Sequence, residues 1–269
     1  MSTATWTVSD IPDQSGRIAV ITGANSGLGL ETARALAASG ATVVMAIRNL
    51  DKGREAIDEI VAGGPADRTG AAELLELDLA SLESVRTAAA ELHDRFERVD
   101  LLVNNAGVMY TPKQQTADGF EMQFGTNHLG HFAWTGLVLD RLLPVDDSRV
   151  VTVSSVGHKI RSRIVFDALQ ADQGYNRVSA YGRSMLSTLL FSYELQRRLA
   201  AADVPTVALA AHPGGSDTEL GRHIPGAGWL RPLIRPMTQS AAMGALPTLR
   251  AATDPDAEGG QYYLSLIHI

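Results

Sequence analysis

A glycine-rich turn directly after an apolar run decides the fold: residues 17–22 read RIAVIT and continue as Thr22-Gly23-Ala24-Asn25-Ser26-Gly27-Leu28-Gly29. The apolar run has the β-branched content of a buried strand, and helical spacing begins after the last glycine. The three glycines allow a tight turn, a close backbone approach to a ligand, and close packing of helix on sheet. Free N–H groups at the helix start would face an anion such as a pyrophosphate. The stretch therefore predicts a dinucleotide-binding loop.

Strands and helices continue to alternate along the chain. Six short apolar runs lack polar alternation, as expected of parallel strands covered on both faces: 17–22, 41–47, 72–79, 99–107, 149–155 and 206–214. Helical spacing of apolar residues fills the intervals 29–39, 53–62, 82–96, 120–143 and 181–202. This alternation predicts an α/β fold, a Rossmann-like doubly wound parallel sheet of about seven strands with helices on both faces. No linker or repeat interrupts it, so we expect one domain over 1–269, with 1–16 as an N-terminal extension.

Composition excludes several classes of protein and site. The chain has 269 residues, of which 45% are hydrophobic, a formal charge of -7, and no cysteine. Disulfides, thiolate zinc sites and cysteine nucleophiles are thereby excluded, and the negative charge argues against nucleic acid as a partner. The N-terminus lacks the basic start and apolar run of a secretory signal, and no stretch is apolar enough to span a bilayer. We expect a cytoplasmic protein without a membrane span.

Residues at the ends of the second and third strands indicate which dinucleotide binds. A NAD-binding protein would place an acid after the second strand, where this chain has Arg48 and Asn49. A guanidinium forks onto phosphate oxygens, so Arg48 favours the 2′-phosphate of NADP and makes NAD less suitable, unless it is only a solvated surface arginine. Asp78, followed by Leu79, either contacts the adenine or caps the helix that begins near Ser81.

Six motifs in one order resemble the short-chain dehydrogenase/reductase family, close to its retinol-dehydrogenase-like branch, over about residues 6–263. They are Thr22–Gly29, Asn104-Asn105-Ala106-Gly107, Asn127-His128-Leu129-Gly130, Val153-Ser154-Ser155, Tyr181-Gly182-Arg183-Ser184, and Pro213-Gly214 followed by Thr218. The resemblance implies a NADP-dependent oxidoreductase that interconverts a carbonyl and an alcohol on a small, fairly apolar molecule. It also implies a homodimer or homotetramer through helices 127–143 and 181–200.

The resemblance further implies a role for each matching residue. Tyr181 would protonate the developing alkoxide, and Ser155, or else Ser154 beside it, would hydrogen-bond the substrate carbonyl. The backbone carbonyl of Asn127 would hold a water in the proton relay. Asn104 to Gly107 would end the fourth strand and form the floor under the cofactor, unless they are only a turn. Pro213, Gly214 and Thr218 would contact the nicotinamide end.

One position breaks the family pattern, which reads Tyr-x-x-x-Lys where this chain has Tyr181 and Met185. Residues four apart share a helix face, so the family lysine lies against the tyrosine and the cofactor ribose. Its charge lowers the tyrosine pKa, which a methionine cannot do. Neither Lys159 nor Arg183 is placed to substitute. Met185 therefore predicts impaired turnover and supports a rival interpretation, a cofactor-binding sensor or scaffold with little activity, unless it is an engineered or erroneous replacement.

The other candidate functional residues give weaker indications of a site. His128 and His131 lack a third ligand at motif spacing, so we expect no metal, and neither Ser154 nor Ser155 lies in a Gly-x-Ser-x-Gly nucleophile elbow. An apolar group after the sixth strand forms either a substrate lid or a satellite core: Trp229, Leu230, Leu233, Ile234 and Met237. Residues 264–269 are either a strand-like tail or a non-native or truncated end.

Overall fold

The computed structural model describes residues 6–63, 70–170, 174–214 and 239–264. Within them lie seven strands: β1 (Ile18–Thr22), β2 (Thr42–Ile47), β3 (Ala72–Glu76), β4 (Leu101–Asn104), β5 (Arg149–Val153), β6 (Val207–His212) and β7 (Tyr262–Leu264). They form one parallel sheet in the order β3-β2-β1-β4-β5-β6-β7. The chain starts in the middle of the sheet, builds outward to β3, and returns past β1 to build the other half. This confirms the predicted Rossmann-like fold.

Helices cover both faces of the sheet. They are α1 (Gly27–Ala38), α2 (Leu50–Gly63), α3 (Leu82–Arg95), α4 (Met122–Phe124), α5 (His131–Val138), α6 (Arg177–Ala201) and α7 (Ala241–Thr253). Helices α1, α2 and α7 contribute to the core on one face, and α3, α5 and α6 contribute to the core on the other. Ile21 of β1 belongs to the first core and its neighbour Val20 to the second, and both are fully buried. Burial on both faces explains why the strands show no polar alternation.

The predicted helix over 120–143 is broken in the structure. After α4 the backbone forms a π-helical turn, Gly125–Gly130, before α5 begins at His131, and a 3₁₀ turn follows at Leu139–Arg141. Such wide turns are frequent at functional sites because they displace one carbonyl from the regular ladder of hydrogen bonds. This turn contains Asn127.

Two other differences have simple physical causes. Helix α6 begins four residues before the predicted start at Tyr181, because the Asn176 side chain accepts hydrogen bonds from the N–H groups of Val178 and Ser179 and caps it there. Helix α7 is absent from the sequence-based assignment. Its Gly244 and Pro247 would be expected to break a helix, but both are buried in the packed structure.

The N-terminal segment that was predicted to be an extension packs onto the domain: Trp6 and Ile11 contact the core on the α1 side, and Gln14 is buried. No helix among the described residues is both long enough and apolar enough to cross a bilayer. Thr218, the predicted lid or satellite core from Trp229 to Met237, and residues 265–269 lie outside the described ranges.

Candidate active site

The glycine-rich loop is shaped to let a ligand approach the backbone between β1 and α1. Gly23 and Gly27 have φ values of 68° and 54°, a region that side-chain-bearing residues rarely adopt. A Cβ on Gly29 would lie 2.4 Å from the Gly23 carbonyl oxygen, so only glycine lets the helix approach this closely. Ser26 stands at the N-cap of α1, but its side chain makes no capping hydrogen bond. Its hydroxyl and the first N–H groups of the helix can therefore serve an anionic ligand, which fits the pyrophosphate of a dinucleotide.

The segment after β4 is tied directly to this loop. The N–H groups of Asn105 and Ala106 both donate to Thr22 Oγ1 at 2.9 Å, and Asn105 Nδ2 donates to the Thr22 carbonyl at 2.8 Å. A Cβ on Gly107 would lie 3.3 Å from the Asn127 side-chain oxygen. The predicted cofactor floor thus joins the glycine-rich loop to the π-helical turn and is more than a surface turn.

Ser155 and Tyr181 meet beside Gly157. Ser155 caps a short 3₁₀ turn, Val156–Lys159, and its hydroxyl accepts from the Gly157 N–H at 3.1 Å. A Cβ on Gly157 would lie 2.8 Å from the Tyr181 ring and 3.4 Å from Ser155 Oγ, so glycine leaves room for both groups. Tyr181 is only 5% exposed. Of the two serines, Ser154 instead donates to the Met185 carbonyl at 3.1 Å, which leaves Ser155 as the hydroxyl facing the tyrosine.

The environment of Tyr181 disfavours its phenolate. Burial raises its pKa to about 12, the Ser155 hydroxyl opposes this by hydrogen bonding, and the nearby Tyr110 adds to it. No cation among the described residues lowers this pKa. Met185, one turn further along α6, is 6% exposed. Arg183 donates to the Ala168 carbonyl at 2.8 Å, and Lys159 is exposed, as expected from their positions in the sequence.

Asn127 lies at the site, where its side chain makes three hydrogen bonds and its backbone carbonyl meets His131. Its side chain accepts from the Val108 N–H at 2.8 Å and donates to the Val108 carbonyl and to Ser184 Oγ, each at 2.9 Å. Its backbone carbonyl lies 3.0 Å from His131 Nδ1 and 3.2 Å from Thr188 Oγ1, whose single proton has a nearer acceptor in the Ser184 carbonyl at 2.8 Å. A carbonyl oxygen has two lone pairs. His131 Nδ1 engages one of them, and the relay water expected at this carbonyl stays a prediction.

Arg48 lies at the carboxyl end of β2 with its guanidinium largely in solvent. Its side chain is 71% exposed and stands 3.9 Å from the Asp78 carboxylate, a loose ion pair that leaves donors free. Asn49 beside it accepts from the Lys52 N–H at 3.0 Å, so its amide oxygen serves the start of α2.

The structure excludes one of the two roles predicted for Asp78 and shows where the Leu79 side chain lies. Ser81, not Asp78, caps α3, and the Asp78 carboxylate accepts from the Ala80 N–H at 2.9 Å. The capping alternative for Asp78 is therefore wrong, and its adenine contact stays a prediction. The Leu79 side chain is buried in the core against the π-helical turn, which leaves its backbone for the predicted cofactor contact, and that contact stays a prediction.

Beyond β6, Pro213 and Gly214 are the last described residues before 239, and Gly214 has a φ of 72°. Gln239 donates a side-chain hydrogen bond to the Pro213 carbonyl. Their predicted contact with the nicotinamide end stays a prediction.

Sequence reasoning missed two residues at the site. Tyr110 has a φ of 54° and its ring meets that of Tyr181 edge to face, with centroids 5.3 Å apart. Nothing in the sequence singles it out. His131 is buried between the glycine-rich loop and Asn127, where it lies 2.9 Å from Thr22 Oγ1. The sequence suggests a histidine here only as a candidate metal ligand, and no cluster of three metal-ligating side chains occurs among the described residues.

Comparison with known proteins places this geometry in a family. A family model described as short chain dehydrogenase matches residues 17–226. Mouse retinol dehydrogenase 14 is 43% identical over 261 residues, which cover 92% of this chain and 77% of the mouse protein. Human retinol dehydrogenase 13 is 41% identical over 257 residues, covering 92% and 76% of the two chains.

Solved structures agree with these relatives. An uncharacterised protein from Mycobacterium paratuberculosis is 45% identical, with a TM-score of 0.78 over 97% of this chain and 87% of its own. A structure described as a NAD(P)-dependent gluconate 5-dehydrogenase from Beutenbergia cavernae, with bound NADP, is 25% identical and has a TM-score of 0.71 over 93% and 95% of the two chains. With its sheet order, its motifs and these relatives, the chain belongs to the short-chain dehydrogenase/reductase family, in the retinol-dehydrogenase-like branch.

Proposed function

We propose that the protein is a NADP(H)-dependent oxidoreductase that interconverts a carbonyl and an alcohol on a fairly apolar small molecule, with turnover limited by Met185. The observation that carries this proposal is the buried Tyr181–Ser155 pair close to the dinucleotide loop. The family establishes the oxidoreductase class. The relatives named retinol dehydrogenases support an apolar alcohol or aldehyde as substrate. The oligomeric state and the cytoplasmic location stay predictions of the sequence.

The preference for NADP is supported by Arg48. Its exposed guanidinium carries a fixed charge at the strand end where NAD-binding proteins present an acid. Asp78 at 3.9 Å is too distant to engage all of its donors, so the guanidinium can accept a phosphate without first losing a tight partner. The NADP bound to the Beutenbergia cavernae structure agrees with this preference.

The chain's own residues would hold the substrate and move its proton. When bound at the glycine-rich loop, the nicotinamide cofactor supplies a hydride for reduction or accepts one in oxidation. Ser155 donates its hydroxyl proton in a hydrogen bond to the substrate oxygen, which holds the carbonyl beside Tyr181. In reduction the Tyr181 phenol gives its proton to the developing alkoxide, and in oxidation the phenolate takes it back.

Tyr181 is better suited to act as the acid in carbonyl reduction than as the base in alcohol oxidation. With a pKa of about 12, the phenol stays protonated at neutral pH and is available as an acid. Phenolate, the base needed for alcohol oxidation, is scarce there. Met185 supplies no charge to correct this, so we expect reduction to be less impaired than oxidation at neutral pH. The same feature favours the second candidate, a cofactor-binding protein with little or no turnover.

A titration followed by a substrate panel tests the proposal. NADPH and NADH are titrated against the protein by fluorescence and thermal unfolding, and we expect NADPH to bind more tightly and to raise the Tm. Apolar ketones and aldehydes are then tested with NADPH, with Tyr181→Phe as the control. Tighter binding of NADPH without turnover of any substrate would favour the second candidate. No Tm shift at saturating NADPH would refute both candidates, because each requires an occupied site.

A further inference from the structure

We propose that His131 is a positioning residue that joins the dinucleotide loop to the catalytic helix as a neutral bridge between Thr22 and Asn127. The inference deepens the proposed function and rests on it for the meaning of the two ends. One end, Thr22, begins the glycine-rich loop. The other end, Asn127, lies in the π-helical turn that packs against the helix carrying Tyr181. The bridge itself consists only of contacts within the described chain.

The contacts determine where each proton lies. His131 Nδ1 is 3.0 Å from the Asn127 carbonyl, and because a carbonyl can only accept, Nδ1 must carry the proton. His131 Nε2 is 2.9 Å from Thr22 Oγ1, which already accepts from the N–H groups of Asn105 and Ala106. With its lone pairs engaged, that hydroxyl has only its proton to offer. It therefore donates to an unprotonated Nε2, in preference to the Val103 carbonyl at 3.4 Å.

This proton order requires a neutral ring, and the surroundings of His131 enforce one. The side chain is 2% exposed. Burial lowers its pKa to about 4, and the bond to the Asn127 carbonyl opposes this only in part. Over the pH range in which proteins are ordinarily stable, the ring is therefore a donor at Nδ1 and an acceptor at Nε2.

Each end of the bridge holds groups that the proposed reaction needs. At one end, Thr22 Oγ1 orders the backbone of Asn105 and Ala106, the predicted floor under the cofactor. At the other end, the Asn127 side chain hydrogen-bonds to Val108 and Ser184, and Ser184 Oγ donates to the Tyr181 carbonyl at 2.8 Å. Losing the bond to Thr22 should loosen the floor and weaken NADPH binding. Losing the bond to Asn127 should shift the π-helical turn relative to Tyr181 and lower kcat.

Two substitutions separate the two ends. His131→Asn puts an amide near the position of Nδ1, where it can still donate to Asn127, but it does not reach Thr22. His131→Gln places its amide near the position of Nε2, where its oxygen can accept from Thr22, but leaves Asn127 without this donor. His128→Gln is the matched control, because His128 lies in the same π-helical turn, is partly buried, and packs against Phe124 and Phe191 without entering the bridge.

The experiment measures the ring tautomer, NADPH affinity and kcat. We expect imidazole ¹⁵N shifts of a neutral His131 ring protonated at Nδ1. His131→Asn should weaken NADPH binding about threefold to tenfold and change kcat at saturating NADPH less than twofold. His131→Gln should show the reverse pattern, with kcat about threefold to tenfold lower. His128→Gln should keep both values within twofold of the unmodified protein.

A His131 ring that is protonated at Nε2, or that is charged at pH 7, would contradict the proposed bridge. Equal losses of affinity and kcat in the two His131 variants, together with an equal fall in Tm, would also overturn it by showing a purely structural role. Effects no larger than those of His128→Gln do the same. An unmodified protein that binds no NADPH refutes the proposed function instead, and the tautomer then decides the bridge alone.

Discussion

Replacing Met185 with lysine would place a cation one helical turn from Tyr181, whose burial now raises its pKa to about 12. Side chains four residues apart on a helix are about 4–6 Å from each other, and at an effective dielectric constant of about 20 this separation gives about 3–4 kcal/mol of attraction to a phenolate. That energy corresponds to about 2–3 pKa units, so the pKa of Tyr181 should fall to about 9–10. At pH 8 the phenolate fraction would rise from about 10⁻⁴ to about 10⁻²–10⁻¹.

The rate of alcohol oxidation should follow the phenolate fraction. We expect kcat/KM at pH 8 to increase about 10²–10³-fold in Met185→Lys, within the range usual for a positioned acid–base group. The pH at which the oxidation rate levels off should move toward neutrality by the same 2–3 units, roughly. A phenolate and the cofactor ribose would both be partners for the buried ammonium and offset part of its desolvation.

The assay is a pH–rate profile of alcohol oxidation, paired with a tyrosinate difference spectrum against Tyr181→Phe. Met185→Gln is the matched control, because glutamine is polar and long like lysine but carries no charge. The reasoning is refuted if Met185→Gln gains as much as Met185→Lys, or if the unmodified protein oxidises alcohols at neutral pH regardless of the Tyr181 hydroxyl. Thermal unfolding of each variant separates a charge effect from misfolding.

Three further expectations concern the cofactor site and the acid stability. Arg48→Asp should weaken NADPH binding about tenfold to hundredfold and favour NADH, which titration with both dinucleotides checks; equal affinities in the unmodified protein would contradict it. Gly29→Ala should lower the free energy of unfolding by about 1–3 kcal/mol and abolish the NADPH-dependent Tm shift, because its Cβ would meet the Gly23 carbonyl oxygen at 2.4 Å. Gly136→Ala is the control that should change neither quantity, because its Cβ would meet no atom outside its own helix within 4 Å. Burial lowers the pKa of both His128 and His131 from 6.5 to about 4. Between pH 4 and pH 6.5 the unfolded chain therefore binds more protons than the folded chain. The free energy of unfolding should therefore be independent of these two rings above pH 6.5. It should fall as the pH drops toward 4, by up to about 1.4 kcal/mol per pH unit for each ring. Denaturant unfolding from pH 7 to 5 measures the slope, and a flat profile, or one that His128→Gln leaves unchanged, would exclude the effect.

Features encoded within a few consecutive residues could be predicted. The turn from Thr22 to Gly29 depends on glycines whose backbone angles and close contacts are local, and its place between strand and helix agrees with the structure. Met185 falls on the same helix as Tyr181 simply because α6 is continuous. By contrast, the choice between Ser154 and Ser155 depends on Met185, 31 residues away from Ser154 in the chain, which accepts the Ser154 hydroxyl.

The sequence by itself determined the fold class and the family, because strand periodicity, glycine spacing and helix repeat are short-range properties. Only the tertiary structure decided the state of the reacting groups. The raised pKa of Tyr181 comes from burial by several elements, and the carbonyl of Asn127 meets His131 and lies near Thr188, two residues that come from different helices. A proton's location depends on which donors and acceptors the folded chain brings within about 3 Å, and such contacts join residues that are distant in the sequence.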